Sequence, residues 1–256
     1  MTKIISIANQ KGGVSKTTTA INISSFLAEA GKRVLLVDLD SQANASAGTG
    51  LRLSENDKSI YDLLTNKSIQ VKDVLRKTDF LNLDIIPSHI NLSGIDLELV
   101  NRMGRESVLK KKLEYINRDY DYIILDTPPA LSLITVNAFV YSTDVFITVE
   151  SNPLALDGLT KLYETIDAVN NELNPGIKVS GIIVTLYDSR TNLGQTVLQR
   201  LKAGDRTKDI IFNTYIRRNV KLAEAIEQGK PINYYDKSSH GYADYYSLSL
   251  EILNIN

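Results

Sequence analysis

Short apolar segments rich in isoleucine, valine and leucine alternate along the chain with longer segments whose apolar residues recur every three or four positions. The short segments have the length and composition of strands buried on both faces of a parallel sheet. They cover residues 3–8, 33–38, 81–87, 122–126, 145–150 and 179–186. The longer segments predict covering helices, one of which runs through Leu154, Leu159, Leu162 and Ile166 and closes at Leu173.

This alternation predicts an α/β fold, with a single-domain, doubly wound, mostly parallel sheet and helices on both faces. Right-handed crossovers then bring the loops after the strands to one edge of the sheet, where ligands bind. A length of 256 residues suits one such domain, so one domain is expected over residues 1–256. The tyrosine-rich segment after Pro231 predicts a final helix docked on the core.

Composition narrows the function classes. Hydrophobic residues make up 43% and charged residues 23% of the chain, which are ordinary globular values. Cysteine is absent, so disulfides, thiolate metal sites and thiol nucleophiles are excluded. With no leader-like segment before Ile4 and no apolar run long enough for a membrane span, a cytoplasmic location is expected. The formal net charge of -1 means that a nucleic acid would have to meet a local basic patch.

A phosphate-binding loop is predicted where the first strand ends. Residues 9–19 read Asn-Gln-Lys-Gly-Gly-Val-Ser-Lys-Thr-Thr-Thr, and an apolar helical pattern begins at Ala20. Backbone N–H groups of a glycine-rich turn at a helix N-terminus cradle phosphates, a lysine reaches the terminal phosphates, and a threonine hydroxyl binds magnesium. Lys16 and Thr17 fit these last two roles. The predicted nucleotide-binding residues of the loop are Lys11, Gly12, Gly13, Val14, Ser15, Lys16, Thr17 and Thr18.

Carboxylates follow two of the other predicted strands. Asp38 and Asp40 end the second strand, and Asp126 ends the segment 122–126 ahead of Thr-Pro-Pro. A carboxylate at the carboxyl end of a strand can orient an attacking water or support a magnesium ion. In register with a phosphate loop, this arrangement predicts a nucleotide hydrolase.

The phosphate loop resembles that of a particular family. It departs from the pattern GxxxxGK[ST] at Gln10 and Ser15, and it matches the deviant form KGGxGK[ST] at every position except Ser15. The chain therefore resembles the ParA, Soj and MinD ATPases, a group of deviant P-loop NTPases. Further similar blocks cover nearly the full chain and resemble the chromosomal and small plasmid ParA proteins. They lie at residues 38–45, 153–159, 188–194, 218–225 and 229–232.

The resemblance implies an ATP hydrolase that uses Mg²⁺. In this family the second aspartate of the DxD segment orients the water, which makes Asp40 the catalytic carboxylate, and Lys16 holds the phosphates. The early lysine reaches across an ATP-bound homodimer to the partner's nucleotide, which assigns that role to Lys11. Magnesium would be supported by Thr17, Asp38 and Asp126.

A DNA partner is expected at a local basic segment. Residues 189–221 carry eight lysines or arginines against two aspartates, a local balance of +6. Such asymmetry is typical of sequence-independent binding to phosphates. The resemblance to Soj assigns non-specific DNA binding to Arg190 and Arg218, with Lys221 beside them. It also implies a ParB-type centromere-binding partner that stimulates hydrolysis, and association with the nucleoid.

Alternatives and departures remain. A MinD-type membrane ATPase is weakened because residues 247–256 contain no lysine or arginine, and an iron–sulfur carrier needs cysteines. A nucleotide-binding regulator that never turns over stays open because of Ser15, since a side chain there is costly if φ is positive. Arg217 stands where the family has proline, which puts the loop near the adenine in question. No helix-turn-helix is expected before the first strand, and His89 and His240 are interpreted as structural.

Overall fold

A seven-stranded sheet forms the centre of the computed structural model, which describes residues 1–54, 56–152, 156 and 158–255. The strands are β1 (Lys3–Ala8), β2 (Val34–Asp38), β3 (Arg76–Lys77), β4 (Leu83–Ile86), β5 (Tyr122–Asp126), β6 (Asp144–Glu150) and β7 (Lys178–Thr185). Their order is β3-β4-β2-β5-β1-β6-β7, and all neighbours are parallel except β3 with β4. The carboxyl ends of β1, β2 and β5 therefore lie side by side.

The predicted fold class is confirmed, and all six predicted strands are present with ends that differ by at most two residues. The antiparallel edge strand Arg76–Lys77 was not predicted. Two residues are too few to show the alternating pattern on which a strand prediction depends.

Helices cover the sheet on both faces. The α-helices in the described residues are α1 (Lys16–Glu29), α2 (Asn44–Gly48), α3 (Ile60–Thr65), α4 (Val71–Val74), α5 (Ile95–Leu99), α6 (Val108–Leu113), α7 (Leu133–Tyr141), α8 (Leu159–Glu172), α9 (Asn192–Ala203), α10 (Val220–Glu227), α11 (Ile232–Tyr235) and α12 (His240–Leu253). Short 3₁₀ helices occupy Ile90–Gly94, Arg105–Ser107 and Glu114–Asp119. None of the helices in the described ranges is long and apolar enough to cross a bilayer.

Alternate residues of the strands feed two separate cores, because successive side chains of a strand point to opposite faces. Ile5 and Ile7 pack with α1, α10 and α12, whereas Ile4 packs with the helices from α3 to α7. A third cluster joins β6 and β7 to α8 and α9. The predicted helix in this region is α8, while Leu154 of its pattern lies outside the described residues.

The predicted final helix is α12, and it is anchored to the helix of the phosphate loop. Tyr245 is fully buried, and its hydroxyl lies 3.0 Å from Thr19 Oγ1 of α1. The histidines both sit at helix starts: His89 Nδ1 accepts a hydrogen bond from Asn91 N at 3.4 Å, and His240 is the first residue of α12. The segment after Pro231 therefore anchors α1 through the contact between Tyr245 and Thr19.

Candidate nucleotide-binding site

The loop between β1 and α1 has the backbone of an anion cradle. Gly13 and Ser15 both adopt the left-handed conformation, with φ of 75° and 63°. Ser15 occupies the N-cap position of α1 without a side-chain hydrogen bond to the helix, and the first turn carries no acidic residue. The N-terminal N–H groups of this 14-residue helix are therefore available to a phosphate, with no acidic residue in the first turn to repel it.

Two adjoining cavities lie over this loop. The phosphate pocket, of about 270 Å³, is lined by Gly12, Gly13, Ser15, Lys16, Thr17, Thr18, Asp40, Asn44 and Pro129. The base pocket, of about 330 Å³, is lined by Ser15, Thr17, Thr18, Asn44, Leu186, Ile216, Arg217, Asn219, Leu222, Ala223 and Ile226. One end is polar and the other is mostly apolar, as a nucleotide requires.

Most of the predicted loop residues line the phosphate pocket, but Val14 and Lys11 do not. Val14 is fully buried, and its carbonyl oxygen accepts a hydrogen bond from Thr185 Oγ1 at 3.2 Å. Its contribution to a phosphate would come from the backbone alone. Lys16 is nearly buried, and its Nζ donates to the Lys11 carbonyl at 3.0 Å. Burial lowers the pKa of Lys16, an effect opposed by Asp126 and Asp40.

Asp38 and Asp126 are paired neighbours at the ends of β2 and β5, and both are fully buried. Asp38 accepts hydrogen bonds from Ser46 N and Oγ at 2.8 and 2.7 Å and from Asp40 N at 3.1 Å. Burial raises the pKa of Asp38 to about 6 despite these bonds. Within the described part of the chain, neither carboxylate oxygen of Asp126 accepts a hydrogen bond of normal geometry, although the Thr17 side chain is near enough to oppose the rise of its pKa. Burial, and then the charge of Asp38, raise the pKa of Asp126 well above its usual value.

This carboxylate pair fits a magnesium ion. Buried carboxylates without partners are costly, and a hard divalent cation with oxygen ligands removes that cost. The described residues contain no group of three or more His, Cys, Asp or Glu side chains able to hold a metal. Mg²⁺ takes one or two carboxylates together with water and substrate phosphates, and Asp38 and Asp126 would supply the carboxylates. Thr17, Asp38 and Asp126 are the residues that would support it, and the ion would neutralise charge on the phosphates.

Asp40 lines the phosphate pocket without being buried. Its Oδ1 accepts a hydrogen bond from Gln42 N at 3.0 Å, which fixes the carboxylate at the start of the loop. The arrangement can therefore orient a nucleophilic water toward a phosphate held by the loop.

Lys11 points away from the phosphate pocket of its own chain. Its Nζ lies 2.9 Å from Glu150 Oε2 at the end of β6, and its side chain is 41% exposed. The backbone N–H of Lys11 donates to Asn9 Oδ1 at 2.9 Å, which sets the direction of the loop. Sequence reasoning missed Glu150, although a carboxylate at the end of a predicted strand was the available signal. Asn44, which lines both pockets, was missed as well.

The basic segment forms an arginine cavity beside the base pocket. This cavity, of about 640 Å³, is lined by Tyr187, Asp188, Ser189, Arg190, Tyr215, Arg217, Arg218 and His240. It brings Arg190 and Arg218 together, while Lys221 is not among its lining residues. Arg190 Nε and Nη2 donate to the two oxygens of Asp188 at 2.9 and 2.8 Å, and Lys221 Nζ lies 2.7 Å from Glu224.

The charge count of this segment needs correction. Five of its eight cations form ion pairs, four of them with acids outside residues 189–221, so the balance of +6 overstates the free positive charge. The pairs are Arg190–Asp188, Arg206–Asp167, Lys208–Asp205, Arg217–Asp244 and Lys221–Glu224. Among the described residues, no such pair involves Arg218, Arg200 or Lys202. A count along the sequence could not reveal partners that are distant in the chain.

Arg217, the residue in place of the family's proline, is held by Asp244 of α12. Its backbone N–H donates to Asp244 Oδ2 at 2.9 Å, and its Nε and Nη2 lie 3.0 and 2.6 Å from Oδ1. The Asp244 side chain is only 8% exposed. Proline could not donate the backbone hydrogen bond, so the departure from the family pattern has a partner elsewhere in the fold.

The fold and the site define a P-loop nucleotide hydrolase with a deviant phosphate loop. A family model described as an AAA domain matches residues 2–179. The sporulation initiation inhibitor protein Soj of Bacillus subtilis is 44% identical over 98% of both chains. The chromosome partitioning protein ParA of Myxococcus xanthus is 41% identical over 98% of this chain and 88% of its own. The chain belongs to the ParA/Soj family of partitioning ATPases.

A solved structure supports the same architecture. Cobyrinic acid a,c-diamide synthase from Mycobacterium smegmatis, with a bound ATP analogue and magnesium, superposes with a TM-score of 0.86. It is 31% identical and covers 99% of this chain and 95% of its own. Its name denotes a different activity, so the likeness bears on the fold and on the nucleotide site.

Proposed function

We propose that this chain is an ATP-dependent DNA-partitioning ATPase that hydrolyses ATP to ADP and phosphate with Mg²⁺, slowly and under stimulation by a partner. The observation that carries the proposal is the buried, unpartnered Asp126 beside Asp38 at the mouth of the phosphate loop. The names of the relatives, Soj and ParA, supply the cellular role.

Within this proposal the site residues divide the work. Lys16 and the loop from Gly12 to Thr18 hold the phosphates, and Asp40 orients the water. Asp38, Asp126 and Thr17 support the magnesium ion, whose charge complements the phosphates. The base lies against the apolar residues of the base pocket.

The active form is a homodimer with two ATP molecules at its interface, in which Lys11 reaches the partner's nucleotide. Its exposure and its direction away from its own phosphate pocket support this role. The Lys11–Glu150 ion pair holds the lysine within its own chain, so the dimer forms only when that pair opens. Hydrolysis then separates the dimer.

The dimer binds duplex DNA without sequence preference through Arg190, Arg218 and Lys221, and so associates with the nucleoid in the cytoplasm. Two copies of the basic surface on one particle raise the effective concentration of the second contact. A ParB-type centromere-binding protein stimulates hydrolysis and releases the DNA.

The first test is the mass of the particle in solution with ATP, with ADP and without nucleotide, measured by light scattering after size exclusion. We expect a dimer with ATP only, and a persistent dimer for Asp40→Ala because the water-orienting carboxylate is missing. A chain that stays monomeric with Mg·ATP, or an Asp40→Ala variant with unchanged turnover, contradicts the proposal. ATP binding and dimer formation without any turnover would favour the non-hydrolysing regulator.

Lys11 and Glu150 provide a matched pair of variants. Lys11→Ala should bind ATP as a monomer, because its contact is made in trans. Glu150→Gln should dimerise at a lower ATP concentration, by about fivefold, since a half-exposed ion pair no longer holds the lysine. Sedimentation at graded ATP measures both. Normal dimer formation by Lys11→Ala would show that the lysine belongs only to the loop.

DNA binding is tested by salt titration of a fluorescent duplex with a non-hydrolysable ATP analogue. Arg190→Ala and Arg218→Ala should each weaken binding equally on unrelated sequences and reduce the salt slope by about 0.9 per lost phosphate contact. Arg206→Ala is the control, because its guanidinium is paired with Asp167 and lines no part of the arginine cavity. A duplex affinity that does not depend on ATP would exclude the proposed DNA switch. An affinity that is unchanged in both Arg190→Ala and Arg218→Ala would exclude it as well.

A further inference from the structure

One extended segment, residues 215–219, separates the base pocket from the arginine cavity. Ile216 and Asn219 line the base pocket, and Tyr215 and Arg218 line the arginine cavity. Arg217 lines both, and it is alone in this among the residues that the structure describes. Residues 215–219 therefore form a wall that the two cavities share, and Arg217 borders both of them.

The shared wall is fixed to the end of β7 by backbone hydrogen bonds. Ile216 N donates to Val184 O at 2.8 Å, and Tyr187 N donates to Ile216 O at 2.9 Å. Leu186, which lies between them and lines the base pocket, has a φ of 52°. A leucine in the left-handed region is strained, and such strain persists only where the surroundings enforce it.

The other attachment of the shared wall is the ion pair between Arg217 and Asp244. Asp244 receives both the backbone N–H and the guanidinium of Arg217, so it fixes the path of the wall and the direction of the side chain together. The next residue, Tyr245, is hydrogen-bonded to Thr19 of α1. The wall is therefore connected through α12 to the helix that begins at the phosphate loop.

We propose that the Arg217–Asp244 ion pair is the positioning element that couples the base pocket to the arginine cavity, so that a bound nucleotide strengthens the binding of a DNA phosphate backbone through this pair. The inference rests on the proposed function. A base in its pocket contacts Ile216 and Asn219 of the shared wall, and the ion pair holds Arg217 of the same wall, and with it Arg218 beside Arg190, in the arrangement that phosphates require. Arg217 acts through the wall.

Asp244→Asn is the informative variant, because the amide oxygen still accepts the Arg217 backbone N–H while the charge pairing is lost. The guanidinium is left 45% exposed, so no buried charge is stranded. The double variant Arg217→Leu/Asp244→Leu removes the ion pair without leaving an unpaired carboxylate. It therefore distinguishes a loss of coupling between the two sites from a loss of stability caused by a buried charge. Arg206→Gln is the matched control, since it breaks an arginine–aspartate pair whose contacts are 2.8 and 2.7 Å and which lines neither cavity.

The experiment measures duplex affinity with a non-hydrolysable ATP analogue and with ADP, and nucleotide affinity with and without the duplex. For the wild type we expect a ratio of at least about tenfold between the two nucleotides, within the range usual for coupled sites. In both Asp244 variants the ratio should fall below about threefold, and the reciprocal effect of DNA on nucleotide affinity should fall with it. The Arg206→Gln variant should keep the wild-type ratio, and the melting temperatures check the fold.

Two failures are distinguishable. A wild-type ratio that survives in Asp244→Asn or in the double variant overturns this inference alone and leaves the proposed function standing. A wild-type chain whose duplex binding is equal with both nucleotides overturns the proposed function, and this inference with it, because there is no coupling for the pair to carry.

Discussion

The carboxyl ends of β1, β2 and β5 and the arginine cavity beside β7 treat charge in opposite ways. At the first, Asp126 is buried without a hydrogen-bond partner and Lys16 is buried with a lowered pKa. At the second, Arg190 is 86% exposed and is already paired with Asp188. The first region leaves buried charges for a ligand to neutralise, whereas the second already pairs two of its three arginines, Arg190 and Arg217, with carboxylates.

The difference affects what each ligand must do. A nucleotide with magnesium relieves an existing cost at the buried carboxylates, so its binding should be strong and should stabilise the fold. A DNA phosphate must compete with an internal carboxylate in water, where each pair is worth little. Binding there should be weak for one chain and should depend on two copies acting together.

The largest expected effects separate two groups in the phosphate pocket. Lys16→Ala should lower ATP affinity by at least about 100-fold, because a charge-assisted phosphate contact is lost. Asp40→Ala should keep ATP affinity within about threefold and slow turnover by at least about 100-fold, the usual loss for a water-orienting group. Calorimetry and phosphate release measure the two quantities. Arg190→Ala is the control, with both unchanged in the absence of DNA.

This contrast also explains what the sequence could predict. The phosphate loop, Asp38, Asp40 and Asp126 are local motifs at strand ends, and the parallel sheet brings them together automatically. The sequence did not reveal the residues whose role depends on a contact with a residue far away in the chain. Glu150 meets Lys11 across 139 positions, and Asp244 lies 27 residues from Arg217. No periodicity encodes such contacts, and for the same reason the charge count of residues 189–221 could not include the acids that pair with this segment from outside it.

The second prediction concerns pH in the absence of nucleotide and magnesium. Because the pKa of Asp38 is raised to about 6, the folded chain binds its proton more tightly than the unfolded chain does. The free energy of unfolding should therefore fall as pH rises from about 4 to 6, by up to about 1.4 kcal/mol per pH unit for one carboxyl. The raised pKa of Asp126 contributes a fall of the same sign. Urea denaturation across this range measures the slope.

Mg·ATP should act in the opposite direction, since it binds the deprotonated carboxyls and stabilises the fold increasingly as pH rises. Asp38→Asn should flatten the slope of the ligand-free chain between pH of about 4 and 6. Asp205→Asn, at a side chain that is 96% exposed, should leave that slope unchanged. A stability that rises with pH over this range in the ligand-free chain would contradict the assignment of a buried, proton-binding pair.

The third prediction tests the internally paired region. Asp188 holds Arg190 through two hydrogen bonds, and this arginine keeps the pKa of Asp188 lowered to about 2, so the carboxylate stays charged near neutral pH. Asp188→Asn should raise duplex affinity by about fivefold, because Arg190 no longer has to leave an exposed ion pair before it contacts a phosphate. The salt slope should not change. Asp205→Asn, which frees Lys208 outside the arginine cavity, should have no effect. Unchanged affinity in Asp188→Asn would remove Arg190 from the DNA surface.

The smallest expected effect concerns two residues whose side chains stand on a left-handed backbone, one of which, Ser15, replaces a glycine of the family pattern. Ser15 and Ala43 both adopt the left-handed conformation, with φ of 63° and 54°. A Cβ costs about 1–2 kcal/mol in this conformation, and a glycine substitution removes that cost. Glycine also increases the conformational entropy of the unfolded chain, which offsets part of the stabilisation. Each glycine substitution should therefore raise the free energy of unfolding by about 0.5–1 kcal/mol. Ala47→Gly, in the right-handed helix α2, should lower it by a similar amount. Denaturant titration resolves these signs, and a loss of stability in Ser15→Gly would show that the serine side chain supports the loop.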